Sequence, residues 1–495
     1  MNYSKDIYKT NQKYLNTYIP YRVYMKDWVD DLLEKEKAKR KIPLEVKELN
    51  NNYYLYHSTT RWDKEEKKNK KVSNYIGRMT PKGVIEKGDS HTIRSIYEYG
   101  NSQLVYTLSK EIIEHLNAAF PYRWEDILAY AIVKTIEPLP IKMIKTRWEK
   151  LHISKEINAS LSPNTISNML REIGMDYKSQ KDFFDGLIIN SKTLAFDLSS
   201  IFSQSINLKY AEKGHNADNL YLKQVNLMLF FSIDKQLPVL LKPLPGSIRD
   251  IKALKTVINE IDSKDAILVL DRGFASYKLP AILEENLFNF VLPLRRNFKM
   301  INYNIKMDNT FPYRERGIKW GKKKRGKYFL YLFEDVKLKA EEETTFIQLM
   351  AEGKKQKRSY KVESKKFGKI AILSNFDTDG EEIYLMYKNR GDIEVAFDAL
   401  KNELENDKTY LNDEDAVRGY FFISLISLYL YYRILNLLRK NDLVSKVSVN
   451  EVLLELSKVY EIHIGKKKKL SEIPDKVLKL AQSLGLDIFP KKLRS

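Results

Sequence analysis

Residues 191–200 read SKTLAFDLSS, and they begin a change of period that decides the fold. Upstream, apolar residues recur every three or four positions in LVYTLSKEIIEHLNAAF (104–120), WEDILAYAIVKTI (124–136), IKMIKTRWEK (141–150) and LSPNTISNMLREIG (161–174), which predicts helices. From residue 191 the apolar blocks shorten. SKTLAFDLSS, QVNLMLFFSID (224–234) and LPVLLKPLPG (237–246) read as three consecutive strands. IRDIKALKTVINEI (248–261) reads as a helix, AILVLD (266–271) as a short buried strand, ASYKLPAILEENL (275–287) as a second helix, and NFVLPLRR (289–296) as a fifth strand.

Three strands followed by helix, strand, helix, strand is an α/β pattern. It predicts a mixed sheet with helices on both faces, the layout of a ribonuclease-H-like core. After Arg296 the pattern breaks through KWGKKKRGKYFLYLF (319–333) and GKKQKRSYKVESKK (353–366), and FGKIAILSN (367–375) returns to a buried strand. A structureless loop of about 70 residues is improbable in a compact domain, so a β-rich basic insertion is expected. The expected organisation is a basic N-terminal region (1–80), a mainly helical region (81–185), the core's first part (186–296), the insertion (297–366), the core's second part (367–440) and a basic helical C-terminal region (441–495). In the first of these, NNYYLYHSTTRW (51–62) and KKVSNYIGRM (70–79) pair as strands around a Lys-rich turn. In the second, the helix opening at Ser162-Pro163 is either the reading helix of a DNA-binding helix-turn-helix or a plain connector.

Lys plus Arg number 85 against 65 Asp plus Glu, for a net charge of +20, which suits a polyanionic partner such as nucleic acid. With no cysteine, disulfides and thiolate zinc sites are excluded, and a cytoplasmic setting is natural. MNYSKDIYKTNQ lacks the apolar core of a signal peptide. The apolar run Gly419–Tyr432 is shorter than the roughly 20 residues of a membrane span, so a buried core helix and no membrane partner are expected.

Two predicted strands carry an Asp at or near their ends, Asp197 in TLAFD and Asp271 in AILVLD, at the edge where open sheets place ligands. Glu394 adds a carboxylate from the helical stretch YKNRGDIEVAFDALK (387–401). Three converging carboxylates need a cation, and hard oxygen donors point to Mg²⁺ or Mn²⁺, two ions serving phosphodiester chemistry. The plain alternatives are that each Asp forms a turn and that Glu394 lies on a solvated face. On one uninterrupted helix Tyr387, Arg390, Glu394 and Lys401, at offsets 0, 3, 7 and 14, fall nearly on a line.

That spacing, Tyr-x2-Arg-x3-Glu-x6-Lys, resembles the signature of bacterial insertion-sequence DDE transposases, the insertion-sequence-four superfamily. EKGHNADNLYLKQVNLML (212–229), YYLYHSTTRW (53–62) and VSNYIGRMTPKG (72–83) also look like stretches of one branch of that family. The resemblance spans about residues 50 to 435. It implies that Asp197, Asp271 and Glu394 bind the metals, and that Tyr387, Arg390 and Lys401 grip phosphates at the transposon end. It also implies terminal inverted repeats and target DNA as double-stranded partners, with a homodimer on the DNA. Many relatives have Ser or Thr directly after the first Asp, whereas Leu198 stands here.

Within the insertion, Trp320 either stacks on a displaced base or packs a core. The Lys clusters 322–325 and 354–358 lie near DNA or in solvent, and His215 polarises a phosphate or is a loop residue. Two rival functions share the fold: a catalytically silent DNA-binding regulator descended from a transposase, and a structure-specific nuclease.

Overall fold

The computed structural model describes residues 27–63, 67–87, 93–203, 205, 207–214, 222–248, 250–258, 266–406, 408–409, 411–465 and 467–490. His215 lies outside them. The chain divides into two compact units, Met1–Ser95 with Ile462–Lys469, and Ile96–Glu461 with Leu470–Ser495.

In the first unit, α1 (Asp27–Arg40) precedes a four-stranded antiparallel sheet of β1 (Leu44–Leu49), β2 (Asn52–Asp63), β3 (Lys68–Thr80) and β4 (Gly83–Glu86), paired in that order. Alternation along β2 turns Tyr53 and Leu55 inward, where they are buried with Val29 of α1 and Met79 of β3. Arg40 at the end of α1 pairs with Glu86 at 2.5 Å, tying the helix to the last strand.

The second unit begins with helices α2 (Gly100–Ala119), α3 (Trp124–Ile136), α4 (Ile141–Trp148), α5 (Pro163–Met175) and α6 (Tyr177–Ile188). Ser162 caps α5 by accepting from the Thr165 N–H. The chain between Trp148 and Pro163 is far longer than the three or four residues of a helix-turn-helix turn. Moreover, α5 turns Ile166, Met169, Leu170 and Ile173 inward, into one hydrophobic core shared with the sheet. The connector reading is the one this helix realises.

The strands that follow are β5 (Thr193–Ser203), β6 (Lys223–Ser232), β7 (Leu237–Pro245), β8 (Ile267–Val269), β9 (Asn289–Leu294), β10 (Asn309–Tyr313), β11 (Arg316–Arg325), β12 (Tyr328–Asp335) and β13 (Lys369–Ser374). They lie side by side in the order β10-β11-β12-β13-β9-β8-β5-β6-β7 within one mixed sheet. β8 is parallel to β5 and β9, and the other neighbours in that order run antiparallel. The basic stretch after Arg296 therefore forms no separate sheet, a correction to the expected insertion. β13 is hydrogen-bonded on both sides, and its free side is taken by β12, so the stretch extends the existing sheet before a helix, Val336–Ala351.

The long apolar helix is α12, numbered after α7 (Asp250–Ile258), α8 (Leu279–Glu285), α9 (Val336–Ala351), α10 (Gly380–Asn389) and α11 (Gly391–Asp398). It spans Glu414–Lys440, and although long and apolar enough to cross a membrane, most of its length is buried inside the fold. It crosses α5 closely: a Cβ on Gly174 would collide with the Asp415 carbonyl, and one on Gly419 with that of Leu170.

Candidate functional site: three carboxylates on one guanidinium

The register of the parallel pair builds the site. Thr193, Leu194 and Ala195 lie opposite Ile267, Leu268 and Val269. Two residues further, beyond the end of β8, the same register sets Asp197 against Asp271. Asp197 is not at the end of its strand, as the sequence suggested: β5 continues to Ser203 because β6 still pairs with it there. What ends near Asp197 is the parallel partner, so its carboxylate faces the mouth left by β8.

Asp271 does two things at once. One oxygen caps a short 3-10 turn, Arg272–Phe274, by accepting from the Gly273 N–H at 2.8 Å. The other lies 3.1 Å from a guanidinium nitrogen of Arg390. Arg295 donates to the Gly273 carbonyl at 2.8 Å and so holds that turn from behind.

The third acid comes from α11. Its inner side chains Ile393, Ala396 and Phe397 are buried, and Asp392 is held by Arg439 of α12 at 3.3 Å. This leaves Glu394 on the outward side, where Arg390 reaches it at 2.6 Å, and Arg390 also lies 3.6 Å from Asp197. Arg390 thus touches all three carboxylates. Its side chain is 10% exposed, while those of Asp197, Asp271 and Glu394 are 22%, 38% and 62% exposed, so the site opens outward from a buried cation.

Burial pushes the Asp197 carboxyl up to about 6, with Asp271 and Glu394 adding repulsion, against the Leu198 N–H and Arg390, which favour its charge. A folded value above the unfolded 3.8 means that the native state holds this proton more tightly. Stability from this group is therefore present at low pH and lost as pH rises from about 4 to 6, by up to about 3 kcal/mol. Asp197→Asn removes that drift: urea unfolding of the variant should lose less stability than wild type across this window. Equal slopes would show that Asp197 titrates normally.

The line of polar residues drawn on one helix is broken in the fold. α10 ends at Asn389, α11 starts at Gly391, and residues Ala399–Glu403 form a π turn, often found at functional sites. The π turn winds the chain less per residue, so Lys401 falls outside the register that a continuous α-helix would give. Tyr387 is half-buried beside the acids, and burial raises its phenol, opposed by Arg272 and Arg390.

Trp320 is a correction. It is 7% exposed in a core with Tyr331, Phe333 and Tyr384, and its indole occupies the space a Cβ on Gly380 would need. No base stacks on it without opening that core. Trp320→Ala should cost about 3–5 kcal/mol by chemical denaturation, as for other large buried aromatics. A near-neutral result would return Trp320 to the surface. Of the Lys cluster beside it, Lys322 is engaged by Asp377 at 2.6 Å.

Among the described residues, no three His, Cys, Asp or Glu are placed to close around a metal ion, because the guanidinium stands between the acids. The donor chemistry nonetheless suits a hard divalent cation: three carboxylates, one of them destabilised when charged. Sequence reasoning missed Arg390 as the hub. Its i,i+4 spacing to Glu394 was a visible signal, but the reach to Asp197 and Asp271 depends on topology.

Two aspartates at the carboxyl edge of a parallel pair, joined by a helix-borne glutamate, define an α/β protein with an acidic sheet-edge site. The transposase DDE domain family matches residues 182–430, half of the chain and the part that holds all three acids, and the chain belongs to that family. No curated protein matches significantly. Among solved structures, the cryo-EM synaptic complex of piggyBac transposase with hairpin DNA is 12% identical, with 80% of this chain and 86% of that chain covered at a TM-score of 0.37.

Proposed function

We infer that this DDE transposase binds the terminal inverted repeats of its own insertion sequence, cleaves DNA strands there and joins them to target DNA, working as a homodimer on a ribonuclease-H-like core. The observation that carries this reading is the meeting of Asp197, Asp271 and Glu394 on Arg390. A chain that merely capped turns with its aspartates would have no reason to bring a third acid to the same cation.

In this reading the three carboxylates hold Mg²⁺, with Mn²⁺ as a substitute. Bound there, a pair of such ions supplies an activated water or 3′-hydroxyl and neutralises the leaving oxygen. Arg390 offers phosphate a bidentate fork, Tyr387 a hydroxyl donor and Lys401 a point charge, together holding the scissile strand. Arg390 therefore exchanges carboxylate partners for phosphate ones when DNA arrives.

The test is strand cleavage of linear DNA carrying the gene's own flanking sequences, with Mg²⁺, Mn²⁺ or EDTA. Metal-dependent nicks at the element's ends, followed by joining, support the transposase. Tight end binding without cleavage under any metal points to the silent regulator, and cutting without regard to end sequence points to the nuclease.

A further inference from the structure

The N-terminal unit lies outside the family match, and its sheet has one face covered by α1 and one left open. The even-numbered residues of β2 point to the open face. One cross-strand row there is Lys47, Tyr54 and Arg78, and the next is Glu45, Tyr56 and Tyr75. The three tyrosines touch in series: Tyr54 to Tyr75 at 6.0 Å and Tyr75 to Tyr56 at 5.4 Å between centroids, each pair tilted by 59°. The Lys47 ammonium sits 4.6 Å from the centre of the Tyr56 ring.

Charge on this face is sorted. Lys47, Lys71 and Arg78 are exposed, and the single acid of these rows, Glu45, is engaged by Lys71 at 2.8 Å and by the Ser73 hydroxyl at 3.3 Å. The acids of α1, Asp27, Asp30, Asp31, Glu34 and Glu36, belong to the element on the covered side. A positive, aromatic surface is thus presented on one side only.

Shape adds a second, independent argument. β1 pairs with β2 only from Asn52 to His57, and β4 pairs with β3 only from Gly77 to Thr80. Beyond these, β2 and β3 continue as a two-stranded ribbon with pairs Ser58–Ser73, Thr60–Lys71, Arg61–Lys70 and Trp62–Asn69. Arg61 and Trp62 are exposed on it, Trp62 by 57%. Six residues of ribbon span about 20 Å. A two-stranded ribbon of this kind fits the major groove of duplex DNA, about 12 Å wide.

We propose that this unit is a duplex-DNA-binding module, the ribbon entering the major groove and Lys47, Arg78 and Lys71 meeting the flanking phosphates. Single strands fit less well. Base stacking needs flat accessible rings, whereas these tyrosines are tilted edge-on against one another and one face of Tyr56 is covered by Lys47. The choice of DNA as the polyanion rests on the transposase reading, and the test separates the two.

Full-length protein is titrated against a fluorescein-labelled duplex of the gene's flanking sequence, and against one of its strands alone, over a range of salt. Lys47→Ala/Arg78→Ala should weaken duplex binding at least about tenfold and lower the log–log salt slope by about two. Arg61→Ala/Trp62→Ala should weaken it as well, with a smaller change in slope. Circular dichroism checks the fold, and Lys47→Gln/Arg78→Gln replaces any variant that unfolds. Duplex affinity and slope equal to wild type, or a loss confined to the single strand, overturn the proposal. Wild-type cleavage with wild-type binding by the variants would sink the module and spare the transposase. Weakened variants of a protein that never cleaves would do the reverse.

Discussion

Glu394→Gln is expected to abolish cleavage at the element's ends while leaving duplex binding close to wild type. The substitution keeps the size and helical preference of the side chain and removes only its charge. Glu394 is the most exposed of the three acids, at 62%, and its inner neighbours Ile393, Ala396 and Phe397 fix α11 without it, so the fold has little reason to respond. A metal ligand is worth several kcal/mol of transition-state stabilisation, which is a loss on the order of 10³-fold or more. Asp271→Ala should be as severe, with an added structural cost, because Asp271 also caps the Arg272–Phe274 turn. Strand cleavage and anisotropy measured on the same preparations separate the two effects. Cleavage by Glu394→Gln at the wild-type rate would remove that residue from the site.

Much of the fold around these acids was legible because its strands are buried on both faces. Runs such as LMLFF and ILVL have no polar alternation to disguise them, and the helical periods between them are long. The sequence did not reveal which strands neighbour one another. The parallel register of β5 and β8, which brings residues 74 apart in sequence face to face, is a tertiary fact. The same holds for the stretch after Arg296. Its basic strands look like an independent insertion, yet the free edge of β13 captures them into the main sheet. Trp320 misleads for a related reason. An aromatic among lysines suggests a nucleic-acid surface, but alternation along β11 sends Lys319 and Trp320 to opposite faces, and the tryptophan's face is the one packed against Gly380. At the site itself, residue types were readable from the motif, while the break at Gly391 and the π turn at Ala399–Glu403 were not, since nothing local in ALKNE forbids an ordinary helix.

Arg390→Ala should have effects of two kinds, because the same guanidinium neutralises the acids and, in the proposed function, grips phosphate. Without DNA, the variant leaves Asp197, Asp271 and Glu394 facing one another uncompensated. Breaking a buried pair costs about 3–5 kcal/mol, but Asp271 and Glu394 are partly in water, which reduces the expected loss to about 1–3 kcal/mol. The loss depends on pH in a defined direction. Arg390 lowers the Asp197 value, so in the variant this carboxyl rises further above about 6 and stays protonated longer. The deficit should therefore be small at pH 5, where Asp197 is largely neutral in both proteins, and grow as pH passes 6. A divalent cation binding the folded acids recovers stability by linkage, so excess Mg²⁺ should narrow the gap at pH 8. With DNA, the variant should bind ends more weakly and with a shallower salt dependence, by about one in the log–log slope. Urea titrations at both pH values, with and without Mg²⁺, read the first effect, and anisotropy over a salt series reads the second. A variant as stable as wild type at pH 8 would mean that the acids do not depend on Arg390. Unchanged DNA binding with lost stability would confine Arg390 to holding the acids apart.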